Sequence, residues 1–149
     1  MELNYDIIRL SAGDMDLAGE LIRQWNIDDG DSEALIPERD YLRQRLAQND
    51  FHVLVARAGG EVVGGLTAYE LPMFDKPERE MFLYEIGVIR LFRNRGIARA
   101  LIDELKMICR EKNIRVIFVG TSMDNSIARY LYESTGGVQE IIPWFTYDL

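Results

Sequence analysis

Apolar residues recur in two rhythms along this chain, every second position in some stretches and every third or fourth in others, and their succession predicts its elements. Tyr5-Asp-Ile-Ile-Arg-Leu10 is rich in strand formers and is closed by Ser11-Ala-Gly13, which predicts a first strand. From Asp14 to Trp25, the residues Met15, Ala18, Leu21, Ile22 and Trp25 keep helical spacing. Ile27-Asp-Asp-Gly-Asp-Ser-Glu33 holds four acids in seven residues and reads as a loop. A second helix is expected from Pro37, whose fixed φ suits a first helical position, to about Gln48. Its packing side is Tyr41, Leu42, Leu46 and Ala47.

Phe51–Arg57 and Glu61–Leu71 flank Ala58-Gly-Gly60, and together they predict a hairpin. Leu71–Arg79 is a proline-interrupted connection. Met81-Phe-Leu-Tyr-Glu-Ile-Gly-Val-Ile89 then returns as a near-continuous apolar strand, the pattern of one buried on both faces, with Glu85 in its middle. Ile97, Ala100, Leu101, Leu105 and Ile108 form a helical stripe ending near Asn113, and Val116–Gly120 is a short buried strand. Asp124-Asn125 caps a last helix carrying Ile127, Ala128, Leu131 and Tyr132, which stops at Gly136-Gly137. Val138–Ile142 and Trp144–Tyr147, separated by Pro143, are expected as two final strands. Antiparallel strands followed by a helix–strand alternation predict an α/β (α+β) fold, a mixed and mostly antiparallel sheet flanked by about four helices.

The 149 residues suit one domain, 1–149, and 48% of them are apolar, which places the chain among globular proteins. No apolar run approaches the ~20 residues that cross a bilayer, and acids stand where a secretory signal would be basic, so a cytoplasmic protein is expected. Cys109 is single and falls in a helical pattern, as a structural thiol would. His52 has no Cys or His companions, so no metal site is expected. The net charge of −8 is concentrated N-terminally: residues 1–80 carry 17 acids and 8 bases, whereas residues 81–149 carry 8 acids and 9 bases. That field disfavours nucleic acid and suits a cationic partner, although surface acid also serves solubility.

Between the strand ending at Ile89 and the helix from Ile97 lie Arg90, Arg93 and Arg95, with Arg99 just beyond. Arg93-Asn-Arg-Gly-Ile-Ala98 has the form R-x-x-G-x-A, in which Gly96 permits a tight bend and the next helical turn presents free N–H groups to an anion. It is neither the Walker pattern nor the dinucleotide fingerprint. This segment resembles the acetyl-coenzyme A loop of the GNAT acetyltransferase superfamily. Asn125-x-x-Ala128-x-x-Leu131-Tyr132-x-x-x-Gly136 resembles the superfamily's second cofactor-side motif, and the order of elements is similar to the GNAT fold from end to end. Ala68-Tyr69-Glu-Leu71-Pro72-Met-Phe74, Tyr84-Glu85-Ile-Gly-Val88 and the arginine loop further resemble the aminoglycoside 3-N-acetyltransferases of the gentamicin-resistance type, over roughly residues 62–142. That family has Asp where this chain has Glu85, and residues before 62 match it poorly.

The resemblance implies an acetyl-CoA-dependent transfer of acetyl to an amine, an aminoglycoside 3-amino group first, with a role in antibiotic resistance. A polyamine, metabolite or protein amine, and a non-catalytic acetyl-CoA-binding module, stand as alternatives. It implies that Gly87, Val88, Arg93, Asn94, Arg95, Gly96, Ile97 and Ala98 hold acetyl-CoA, the backbone around Gly87 and Val88 polarising the thioester carbonyl. Asn125 either bonds the cofactor or caps its helix. Glu85 is the expected base, its pKa raised by burial, and Tyr132 the expected proton donor to the thiolate. The acids Asp28, Asp29, Asp31, Glu33, Glu70, Asp75, Glu78 and Glu80 are candidates for a negative acceptor groove. Pro143-Trp-Phe145 marks either core or an edge used for a homodimer.

Overall fold

The computed structural model describes residues 2–149. Strand β1 (Tyr5–Arg9) is followed by helices α1 (Met15–Asp28) and α2 (Arg39–Leu46), then β2 (Phe51–Ala58), β3 (Glu61–Pro72) and β4 (Arg79–Val88). A 3-10 turn, Arg90–Phe92, leads into α3 (Ile97–Glu111), and β5 (Ile117–Phe118) and α4 (Ser126–Ser134) complete the regular elements. The sheet runs β1-β2-β3-β4-β5, antiparallel except for the β4–β5 pair. This is the mixed sheet with four α-helices that the sequence predicts.

Strand alternation sorts the core into two layers. Leu54, Ala56, Leu66, Ala68, Met81, Leu83 and Val88 pack with Leu101, Leu105 and Ile108 of α3. Val53, Val55 and Val62 pack with Leu21 of α1 and Leu42 and Leu46 of α2. The strand covered on both faces is β3, buried without a break from Val62 to Ala68. The same expectation for β4 is corrected: its buried residues run Met81, Leu83 and then Val88, with Tyr84 and Glu85 both exposed. The cause is a bulge, because Ala68 pairs with Leu83 and Thr67 with Glu85, so that Tyr84 is the extra residue and the inward phase slips by one.

Helix α1 runs three residues beyond Trp25 and takes Asp28 into its last turn, so the acidic loop begins later than predicted. Pro37 precedes α2, whose N-cap is Glu38. The two final strands do not form: residues 136–149 are exposed and, beyond the cap of α4, take no regular structure. No helix among the described residues is long and apolar enough to cross a membrane.

Glu70 ties the sheet to the end of α3. It lies on the same face as Leu66 and Ala68, is 2% exposed, and receives hydrogen bonds from His52 Nε2 at 2.7 Å, from Arg79 at 2.8 Å and from Lys112. Its assignment to an acceptor groove is therefore corrected: an even position on this part of β3 faces α3, the opposite side from Glu85. Burial alone would raise its pKa, but the hydrogen bonds from Lys112, His52 and Arg79 outweigh it and hold the carboxyl below its ordinary value. A depressed folded-state pKa gives stability that is present above the ordinary glutamate range and is lost as pH falls through the folded value. Glu70→Ala is expected to cost about 3 kcal/mol, as for removal of one member of a buried ionic cluster, read from the urea midpoint at pH 7. The difference from the parent chain should shrink as pH falls below the glutamate range.

Candidate active site

The site is built on the phase slip in β4. A bulge turns two successive side chains to one face, and here Tyr84 and Glu85 both lie on the α1–α2 face of the sheet. Thr67, opposite Glu85 on β3, donates its hydroxyl to Glu85 Oε2 at 2.8 Å. On that face an aromatic row crosses the sheet. Ring centroids are 4.7 Å apart for Phe51–Tyr69, 5.5 Å for Tyr69–Tyr84, 5.6 Å for Tyr84–Phe82 and 4.8 Å for Phe82–Phe118. The Arg45 guanidinium of α2 lies 4.7 Å over Phe51 at the closed end of the row. Glu85 is exposed beside this row, so the expectation that it is buried in the strand is corrected.

The slip also sets which amides face the outer edge of β4. Beyond Phe82, β4 has no partner on the β5 side among the described residues. The Met81 N–H bonds Val116 O of the β5 segment, and the Ile89 N–H bonds Val63 O of β3, each at 2.9 Å. Eight residues apart on an unbroken strand, the two would point the same way; the bulge accounts for the reversal. Counting back from Ile89, the Val88 N–H faces the open edge and the Gly87 N–H faces β3. Of the two residues expected to polarise the carbonyl, Val88 turns its amide to the open edge and Gly87 turns its amide to β3. Gly87 serves by having no side chain. A Cβ there would lie 2.9 Å from Trp25 Nε1, which donates to Gly87 O at 3.1 Å and docks α1 across the strand.

Just past this edge the chain turns into α3. Asn94 (φ 60°) and Gly96 (φ 81°) both take left-handed backbone, Gly96 as the N-cap of α3. The first helical bond runs from the Ala100 N–H to Gly96 O at 3.0 Å, so the N–H groups of Ile97, Ala98 and Arg99 precede the ladder. Arg95 lies over the Phe92 ring, 5.5 Å from its centroid, and borders a recess of about 390 Å³ shared with Glu2, Leu3 and Tyr5. This donor set fits a phosphorylated nucleotide: backbone amides at a helix start, a left-handed turn free of Cβ, and an arginine at the rim.

The Arg93 side chain does something else. Its Nε donates to Val88 O at 2.8 Å and its guanidinium pairs with Asp28, whose other oxygen accepts the Arg90 N–H at 2.8 Å. Its phosphate-binding assignment is corrected to that of a brace, because its reach back across the turn satisfies a carbonyl at the unpaired edge. Asp28 is corrected likewise, from the acceptor groove to the other half of the brace.

The remaining acids divide between the two ends of β4. Asp29, Asp31 and Glu33 are exposed in the α1–α2 connection. Asp75 and Glu78 lie in the β3–β4 connection, Glu78 within 3.6 Å of Lys76, and Glu80 is half-buried in β4. Tyr132 stands on α4 and packs on the α3-side core with Leu131, and burial raises its pKa. Glu85 and Tyr132 thus belong to opposite faces of the sheet. Asn125 Oδ1 accepts the Ala128 N–H at 3.1 Å, so it caps its helix. Cys109 is buried, its thiol pushed up to about 11 mainly by desolvation, which leaves it a poor nucleophile at neutral pH. Sequence reading missed Thr67, Trp25, the aromatic row and the Asp28–Arg93 brace.

The profile of the acetyltransferase (GNAT) family matches residues 19–137. This chain belongs to that family. GNAT acetyltransferases take their acetyl group from acetyl-CoA, which fits the donor set at the start of α3. Among solved structures, the aminoglycoside acetyltransferase HMB0005 from an uncultured soil metagenomic sample is 33% identical, with a TM-score of 0.91 over 99% of either chain. A second such enzyme, meta-AAC0020, solved in complex with sisomicin, is 28% identical, with a TM-score of 0.90 over 97% of this chain and 96% of its own. The uncharacterized N-acetyltransferase YycN of Bacillus subtilis (strain 168) is 32% identical over 76 residues, 51% of this chain and 47% of the relative. The chain spans about half the length of the curated relatives it matches.

Gly87→Ala tests the docking of α1 on the GNAT strand. The added methyl is expected to displace the Trp25 indole, cost about 1–3 kcal/mol in a denaturant titration, and shift tryptophan emission. An unchanged midpoint with unchanged emission would show that α1 does not lie against Gly87.

Proposed function

We propose that this chain is an acetyl-CoA-dependent N-acetyltransferase whose acceptor is a cationic amine of the aminoglycoside class, modified at its 3-amino group. The observation that carries this reading is the Glu85 carboxylate, oriented by Thr67, exposed beside an aromatic row and next to the unpaired edge of β4. Aminoglycosides present ammonium groups on sugar rings. A carboxylate recognises the first and tyrosine and phenylalanine faces pack against the second. The soil aminoglycoside acetyltransferases support the same class.

Bound acetyl-CoA would supply an activated acyl carbon and a thiolate leaving group. The start of α3, with Asn94, Gly96, Ile97 and Ala98, would hold its phosphates through backbone amides, and Arg95 would stand beside them. Glu85 Oε1 takes a proton from the acceptor ammonium, directly or through water, while Thr67 holds Oε2. The Val88 N–H is free to hold the thioester carbonyl, a contact on the order of 2.7–4 kcal/mol in other acyl transfers. Tyr132, whose pKa burial raises, would donate its hydroxyl proton from the α4 side to the coenzyme A thiolate released as the acceptor nitrogen bonds the acetyl carbon and the C–S bond breaks. The acids at both ends of β4 raise the local concentration of a polycation, and salt weakens this.

Free-thiol release from acetyl-CoA, measured against gentamicin-type aminoglycosides, spermidine, a lysine peptide and a small diamine, is the deciding experiment. Turnover is expected with the aminoglycosides, and its absence there, with turnover of another amine, would replace the acceptor class. Glu85→Gln and Tyr132→Phe are each expected to lower kcat by about 10²–10⁴-fold. Because Glu85 is exposed, its variant should melt with the parent. Raising ionic strength should raise KM for the acceptor more than it lowers kcat. A salt-independent KM would remove the acidic connections from the account.

A further inference from the structure

We propose that Arg45 is an acceptor-binding residue that selects amines also carrying a carboxylate, holding the carboxylate at the closed end of the aromatic row while the amine meets Glu85. Helix α2 has three arginines. Arg43 pairs with Asp40 at 2.8 Å and Arg39 pairs with Asp16, both on exposed positions. Arg45 is half-buried, yet among the described residues its guanidinium has neither an ion pair nor a hydrogen bond. It lies over two rings instead, 4.7 Å from the Phe51 centroid and 5.9 Å from that of Tyr69. Stacking occupies one face of a guanidinium and leaves the N–H groups in its plane free. No buried side-chain nitrogen among the described residues goes without a partner, so these free donors are open to solvent.

The row therefore carries charges of opposite sign on one face of the sheet. From Arg45 it runs over Tyr69 to Tyr84, whose rings are 5.5 Å apart, and next to Tyr84 stands Glu85 with Thr67 on its second oxygen at 2.8 Å. A stacked guanidinium with open in-plane donors is the geometry that takes a carboxylate through two parallel hydrogen bonds. Arg45 stacks on β2 and Glu85 stands on β4, two strand spacings or about 9–10 Å apart. A ligand with an ammonium at Glu85, an apolar stretch along Tyr69 and a carboxylate at Arg45 is complementary to all three. That span suits an aliphatic ω-amino acid or a short peptide, and it is too long for an amine whose carboxylate is on the same carbon.

The assignment rests on Glu85 receiving the acceptor amine, and it goes beyond the acceptor class read above. Arg45 repels a second ammonium, so a polycation bound at Glu85 extends toward Phe118, whereas an amino carboxylate extends toward Phe51. The two classes share only Glu85. In the transfer, the ammonium gives one proton to Glu85 and the neutral nitrogen bonds the acetyl carbon. The C–S bond breaks, its electron pair leaves with sulfur, and a second proton lost from nitrogen is balanced by the one the thiolate gains. The product keeps its carboxylate and has an uncharged amide, so nothing cationic remains to hold it at Glu85, and the acids of the connections repel it.

The test uses matched acceptors that differ only in the carboxylate: 6-aminohexanoate against 6-aminohexanamide, and trialanine against its C-terminal amide. The first pair offers an amine on an aliphatic chain and the second a peptide N-terminus. Each is measured on the intact chain by thiol release from acetyl-CoA and by calorimetry with the chain saturated in coenzyme A. In at least one pair, which then identifies the source, the carboxylate member is expected to have KM and Kd lower by about 10-fold or more. Arg45→Met keeps the stem on Phe51 without the charge, and should abolish that difference by weakening the carboxylate member alone. Arg45→Lys keeps the charge without the fork, and should retain part of it even if the methionine variant does not fold. A parent chain that binds both members of both pairs alike, or neither, overturns the proposal, and so does a preference that survives Arg45→Met. Thiol release with aminoglycosides and no carboxylate preference removes Arg45 from the site and leaves the function standing. A preference in binding that Arg45→Met abolishes, with no thiol release from any amine, supports the Arg45 site and removes the transferase reading.

Discussion

One extra residue in β4 governs the site. Inserted opposite the Thr67–Ala68 step, Tyr84 brings Glu85 onto the face it shares with the aromatic row and turns the Val88 amide to the open edge. Without it, the strand that presents Met81 and Leu83 to α3 would present Glu85 there too. A carboxylate would then enter the layer formed by Leu101 and Leu105, at a desolvation cost of several kcal/mol unless it were paired. The bulge separates two demands on one strand: its first half packs on α3, and its second half both packs and presents the proposed base.

A strand with an open edge must be held at both ends, and two ionic groupings do this. Glu70, with His52, Arg79 and Lys112, fixes the start of β4 to β2, β3 and the end of α3. Asp28 and Arg93 fix its far end to α1 and occupy the Val88 carbonyl, leaving the Val88 N–H on the same edge. Trp25 adds a contact to Gly87 between them. Several acids that a charge count assigns to the acceptor thus have structural partners, and the proposed acceptor field would fall to the exposed ones in the two connections.

How much the sequence disclosed follows from how local each signal is. Helical spacing, the Gly59-Gly60 reversal and the R-x-x-G-x-A turn are encoded within a few residues of one another, and the structure has each of them. The sides of the sheet are encoded in parity, which a one-residue slip inverts; the slip was legible as Met81 and Leu83 followed by Ile86 and Val88, with Tyr84-Glu85 between. Glu70 was legible in the same way, as an even position beside Leu66 and Ala68. The brace between Asp28 and Arg93 was not, because it joins residues 65 apart whose meeting depends on where α1 lies. The final strands failed for a further reason: apolar alternation marks a segment able to form a strand and does not supply the neighbouring strand that would hold it.

The exposure of Glu85 bears on how the proposed reaction would be timed. A carboxylate open to water is well solvated, and its attraction for an ammonium group is weak at an effective dielectric near that of water. Entry of a polycationic sugar between the aromatic row and the β4 edge would exclude that water. The same contact would then strengthen several-fold without movement of the protein, since Thr67 already fixes the carboxylate. An amine too small to cover the aromatic row would meet Glu85 still hydrated. On this account the row selects by coverage, through the base, and the acids in the connections set only how often the acceptor arrives.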